Sequence, residues 1–160
     1  MTEAAQHEST SPNEVGRLGI QIVADDDERM AFLPQHFGPS PLYFESQMYA
    51  IATKVIAGYR GGLWEFAYTR SGAPFMYLKG VSQCSISTIF GDSFYSLPSE
   101  IAGFLVTAQG ILRILEQSGC HGLKDGRHDE LVDRYHQLIR DGRALAEDRG
   151  CAGDYFHLTD

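Results

Sequence analysis

Cysteine is scarce in this chain: Cys84, Cys120 and Cys151 are the only 3 in 160 residues, and they lie far apart. An odd count with no export signal argues for reduced, mostly structural thiols. Cys120 and His121 could be combined on paper with His128, Cys151 or His157. No CxxC or HxxxH spacing supports a zinc site, so no metal is expected. Long apolar runs are missing too. None approaches the roughly 20 residues that a membrane-spanning helix needs. The opening MTEAAQHESTSPNE has neither the basic nor the apolar region of a signal peptide, which points to a cytoplasmic protein.

Excess positive charge is also lacking. Lys and Arg number 13 against 21 Asp and Glu, for a net charge of -8. A domain that grips DNA electrostatically shows the opposite balance, so strong direct DNA binding is not expected. The acids gather in Asp25-Asp26-Asp27-Glu28 and in the C-terminal segment. There Arg127, Arg134, Arg140, Arg143 and Arg149 are interleaved with them. Mixed signs of this kind mark a solvated helix face. An acidic mimic of DNA stays open as an alternative.

The catalytic motifs are absent as well. YRGG lacks the Gly-Lys-Ser/Thr ending of a phosphate loop, and neither GxSxG nor HExxH occurs. Nucleophilic chemistry would need a base beside one of the cysteines, whereas a buried inert cysteine is the commoner case. Glu65 stands among aromatics and could serve as an acid, but strand alternation sets it opposite Trp64 and Phe66, toward water. A small cytoplasmic hydrolase using a cysteine or Glu65 is therefore the competing class.

What is present divides into strands in the middle and helices at either side. Residues 1–24 are expected to form a flexible tail and 25–160 a single domain; GIQIV (19–23) alternates briefly enough to be at most a short edge strand. DDDERMAFLPQHFG carries acids suited to a helix N-terminus, with Met30, Phe32, Leu33 and Phe37 as its apolar side. Pro34 should keep that helix short or broken. Phe44, Met48, Ile51, Ala52 and Val55 recur at the spacing of one helix face.

Gly61-Gly62 permit a tight turn into GLWEFAYT, which alternates with an aromatic face of Trp64, Phe66 and Tyr68. RSGAP then reads as a hairpin connection to PFMYLK, with GVSQCSISTIF as a third strand and FYSL as an optional fourth. After Pro98, Ile101, Leu105, Ala108, Leu112 and Leu115 stripe the strongest helix, widened by Phe104 and Ile111. SGCHGLKDG reads as a loop. A last helix over 128–148 places Leu131, Tyr135, Leu138 and Leu145 on one side, and DYFHLTD follows as a short tail. The class is α+β: an antiparallel sheet of three to four strands with about four helices around it, one sheet face covered and the other available to a partner.

Read together, ERMAFLPQHFG (28–38), YRGGLWEF (59–66), LPSEIAGFLVTAQGILRIL (97–115) and LVDRYHQLIR (131–140) resemble the ArdB/KlcA family of antirestriction proteins. All four blocks fit in order and spacing, and they span nearly the whole chain past the tail. RSGAPFMY (70–77) departs from the pattern, because the family usually carries an Asn-Gly-Gly type of turn there. The resemblance implies an α+β fold, no catalysis, no cofactor and no DNA-like charge distribution. It also implies a protein of plasmids and other mobile elements that protects incoming DNA from host type I restriction enzymes, directly or indirectly. Contact with such a partner is expected to use Tyr59 and Arg60 beside the glycine turn, and Asp133, Arg134 and His136 on the exposed side of the last helix.

Overall fold

The computed structural model describes residues 13–15, 19–37, 41–89, 91, 93–121 and 127–159. Two short strands, β1 (Asn13–Val15) and β2 (Gln21–Val23), lead into α1 (Asp26–Phe37) and α2 (Pro41–Val55). β3 (Trp64–Tyr68), β4 (Pro74–Leu78), β5 (Gln83–Ile86) and β6 (Tyr95–Pro98) follow. Helices α3 (Ser99–His121), α4 (Arg127–Asp148) and α5 (Ala152–Thr159) come last.

The α+β class and the antiparallel pairing hold, but the strands choose other partners than a simple meander would. One sheet runs in the order β1-β2-β3-β4, and β5 and β6 form a second. GIQIV is therefore structural: Gln21 pairs with Tyr68 and Ile22 with Ala67, while Ile20 and Val23 are buried. The expected boundary at residue 24 is corrected accordingly, because β2 is paired with β3 on the side away from β4. Residues 1–12 and 16–18 of the expected tail lie outside the described residues.

β5 cannot extend the sheet beyond β4, because α3 occupies that edge. The Thr107 hydroxyl accepts a bond from the Met76 N–H at 3.1 Å and donates to the Met76 carbonyl at 3.3 Å. A side chain thus satisfies the groups that a further strand would have paired. Such proximity requires Gly103, since a Cβ there would lie 2.4 Å from the Met76 carbonyl oxygen and 2.5 Å from the Tyr77 Cβ. β5 instead pairs with β6. On its other edge it meets the end of α2, where Ala57 N–H donates to Ser85 O at 2.9 Å and Ser87 N–H to Val55 O at 2.8 Å.

No wet sheet face is found along β4, which is a second correction: all five of its residues are buried. PFMYL has no polar alternate, and a strand of that kind is covered on both sides. Phe75 meets Phe104 of α3 edge-on at 4.3 Å. The opposite face of the sheet, carrying Phe66 and Tyr68, meets Phe32 of α1.

α3 is the hub of the molecule and packs on α2, α4, β4, β5 and β6. It is buried all round from Ser99 to Ala108 rather than along one stripe, and Leu112 and Leu115 are only half-buried. A helix apolar on every side is a central one, and each large side chain buried there contributes roughly 1.5–3 kcal/mol. It continues to His121, so the loop expected from Ser118 begins later; residues 122–126 lie outside the described residues.

α2 buries Phe44, Met48, Ile51, Ala52 and Val55, the face its spacing foretold. α1 keeps Pro34 inside a continuous helix, and Met30 is 80% exposed instead of packed. The two facts agree, because the carbonyl four residues before Pro34 belongs to Met30, on the solvent side, where water can take the bond that proline cannot make. The C-terminal segment is a helix whose Tyr155 is buried and donates to the Ile139 carbonyl at 2.7 Å. Among the described residues, no helix is long and apolar enough to cross a membrane.

Candidate functional site

The chain leaves α2 and enters β3 through a loop that holds most of YRGGLW. Gly61 and Gly62 have φ of 99° and 150°, values that residues with a Cβ rarely adopt. Nothing crowds Gly61, so conformation rather than space demands the glycine. The turn sends Trp64 into the core, where it is 6% exposed and its Nε1–H donates to the Tyr59 hydroxyl at 3.1 Å. Tyr59 packs edge-on against the indole with centroids 5.9 Å apart, and Tyr49 of α2 stands 6.4 Å away. Leu63 faces outward, 72% exposed, although its carbonyl is pinned by the Lys79 N–H at 2.9 Å. An apolar side chain is thus displayed on a fixed backbone, with Arg60 exposed beside it.

Arg29 of α1 locks the middle of this strand. The β2–β3 ladder stops at Ile22 and Ala67, and the Arg29 guanidinium takes over the carbonyls beyond it. It donates to Val23 O at 3.2 Å, Trp64 O at 3.3 Å and Glu65 Oε1 at 2.9 Å, and it lies 5.0 Å from the centroid of the Phe66 ring. Lys79 adds a looser contact to Glu65 Oε2 at 3.8 Å. The Glu65 side chain, 14% exposed, is therefore not in water as strand alternation suggested; two cations hold it at the surface of the fold.

At the far end of β3, three elements meet in a small polar centre. His36 of α1 lies 2.7 Å from the Tyr68 hydroxyl, and Arg134 of α4 reaches the His36 Nδ1 at 3.3 Å. A guanidinium can only donate, so Nδ1 accepts, and Nε2 carries the proton and donates to Tyr68. Burial, and then the Arg134 charge, push the His36 pKa down to about 4 and keep the ring neutral. Burial raises the Tyr68 pKa, helped by Glu28 and opposed by Arg134. Next to this centre, Thr69 and Ser71 both donate to Asp141 Oδ2 of α4 at 2.5 Å, and Gln137 Nε2 donates to Ser71 Oγ at 2.8 Å. The RSGAP turn, where the chain departs from the family's usual residues, is thereby fastened to α4.

The residues expected to contact a partner do not form one patch. Tyr59 and Arg60 lie before the start of β3, while Arg134 reaches its end, about 13 Å away along the strand. Asp133 and His136 are exposed on α4, with the His136 ring edge-on to Tyr135 at 5.4 Å. Arg134 is half-buried and engaged with His36, so it is not on the exposed side as expected. Sequence reasoning missed Arg29, His36 and Tyr68; nothing local signals a contact between residues 32 apart. Leu63 was legible as the outward alternate to Trp64.

The arrangement offers little to a nucleophilic mechanism. Burial and then the nearby Glu100 push the Cys84 thiol up to about 11, and burial and Asp154 raise Cys151. Neither is an activated thiolate near neutral pH. The side chain of Cys120 lies outside the described residues. Among the described residues, no group of three or more His, Cys, Asp or Glu could hold a metal ion.

No family model matches the chain. It is 31% identical to the antirestriction protein KlcA of Escherichia coli over 120 residues, 72% of this chain and 78% of that protein. It is 29% identical to the putative antirestriction protein YubI of E. coli K12 over 98 residues, 60% of this chain and 67% of the relative. A solved structure superimposes with a TM-score of 0.66 at 23% identity, covering 85% of this chain and 91% of the other. That work describes the KlcA and ArdB proteins as a novel fold with antirestriction activity against type I DNA restriction systems in vivo but not in vitro. A relationship to KlcA that runs through roughly three quarters of both sequences, on a fold of the same shape, makes this chain a member of the ArdB/KlcA family of antirestriction proteins.

Proposed function

We propose that this chain, carried by a plasmid or another mobile element, protects incoming DNA from type I restriction-modification systems of its host without catalysis of its own. The observation that carries this reading is its 31% identity to KlcA over 120 residues. Activity in vivo but not in vitro, described for the solved KlcA and ArdB proteins, supports an indirect route in which a further component of the living cell takes part. The charge distribution agrees with that route. Glu65 is paired with Arg29 and Lys79 at the surface of the fold, and Arg127, Arg134, Arg140, Arg143 and Arg149 are interleaved with the acids of the C-terminal segment, which mixes the signs. The contacting surface in this reading is the loop with Tyr59, Arg60 and Leu63, aided by the exposed Asp133 and His136 on α4.

The test is expression in bacteria that carry a type I system, followed by plating of unmodified phage. Survival should rise well above that of cells lacking the protein, while phage already modified by the host should plate equally on both. Unchanged destruction of unmodified phage in cells that contain the soluble, folded protein would overturn the proposal.

A further inference from the structure

α2, the segment after β5, α3, α4 and α5 converge on a cavity of about 210 Å³, whose lining does not include Tyr59, Arg60 or Leu63. Its walls include Ile51, Val106 and Ala108, all fully buried, and among the described residues no Asp, Glu, Lys, Arg or His lines it. Ser87, Thr88, Gln109, Tyr135 and Thr159 supply polar groups, of which the Ser87 and Thr159 hydroxyls already donate to backbone carbonyls. Among the described residues, neither the Gln109 amide nor the Tyr135 hydroxyl makes a hydrogen bond. Space of this kind forfeits contacts that the surrounding aliphatic side chains would otherwise make. Elsewhere the molecule packs closely enough to need glycine at position 103. A concave site with a largely aliphatic wall and the Gln109 and Tyr135 polar groups at its side has the character of a binding pocket, smaller than the usual drug-sized site.

We propose that this cavity binds a small uncharged ring compound, of about indole size, that carries one hydrogen-bonding edge. Apolar walls take the ring. The Gln109 amide, with both a donor and an acceptor, and the Tyr135 hydroxyl take the edge. A carboxylate or phosphate finds no cation there and would lose its hydration without compensation, so anions are rejected. The proposal goes beyond protection of DNA, because binding is measured on the purified protein whatever its role in the cell.

Indole titrated into isotope-labelled protein and followed by NMR tests it. The Gln109 side-chain amide and the Ala108 backbone amide should shift saturably, and indole-3-acetate should bind at least about tenfold more weakly. Ala108→Leu fills the cavity and should abolish binding. Gln109→Met keeps the volume, removes the polar edge and should weaken indole roughly three- to tenfold. The proposal fails if no saturable shift occurs at Gln109 up to the solubility of indole, or if the carboxylate binds equally well. Undiminished binding by either variant, shown to be folded by circular dichroism, overturns it too.

Discussion

At the Trp64 end of β3 the side-chain hydrogen bond that anchors the loop is local, and at the Tyr68 end such bonds are drawn from across the chain. Trp64 is bonded to Tyr59, five residues earlier, through a turn that two glycines permit. Tyr68 is bonded to His36 at a separation of 32 residues, Thr69 to Asp141 at 72, and Arg134 closes the group by reaching His36 at 98. The local end displays Leu63 and Arg60 to solvent; the distant end ties α1, β3 and α4 together. A short-range turn can be rigid and still leave its side chains free to meet a partner. A junction of three elements has to commit its side chains to one another.

That contrast is most exposed to test at Phe32, whose ring stacks on Phe66 at 4.8 Å and lies edge-on to Tyr68 and His36. Phe32→Ala should destabilise the fold by about 3–5 kcal/mol in denaturant unfolding, as expected for a lost core aromatic. A loss under about 1 kcal/mol would show that the junction does not hold the molecule.

Acid should loosen the same end first. The folded pKa of His36 lies at about 4, below its ordinary value of 6.5, so the unfolded chain binds the proton more readily. The stabilising contribution is complete above pH 6.5 and is lost as pH falls toward 4. After allowance for the ring's half exposure, about 1 kcal/mol should disappear between pH 6.5 and 5. His36→Gln should flatten that slope in thermal melts; an unchanged slope would assign the acid sensitivity elsewhere.

At the local end the effects on stability should shrink. Gly61→Ala forces a Cβ into φ of 99° and should cost about 1 kcal/mol by strain alone, measurable as a shift in the urea midpoint. Leu63→Ser, at a side chain 72% exposed, should change stability by less than about 0.5 kcal/mol. The same variant should nonetheless lower phage survival on a restricting host if the loop is the working surface. Full protection by Leu63→Ser would remove the loop from that role and sharpen the comparison in favour of α4.

Much of this division follows from how information lies along a chain. The two glycines, the burial of Trp64, the apolar face of α2 and the alternation of β3 each rest on residues within a few positions of one another, so their pattern is visible before folding. The family blocks share that property, each being a short run in register with the others. Glu65 illustrates the limit. Its place in the alternation is visible locally, yet its surroundings depend on Arg29 and Lys79, which the fold brings from α1 and from the turn after β4.

The sequence by itself determined the apolar face of α2, the existence of α3 and α4, the glycine turn and the kinship, because helix periodicity, positive φ and motif order are all local quantities; α5, expected as a tail, was not among them. Only the tertiary structure decided that β2 joins the sheet, that Thr107 and Gly103 of α3 close the edge of β4, and that His36, Tyr68 and Arg134 share one half-buried centre. Each of these is a choice of partner among segments with similar appetites for apolar contact. Such a choice is settled by which elements can approach closely enough to satisfy one another's backbone and charge.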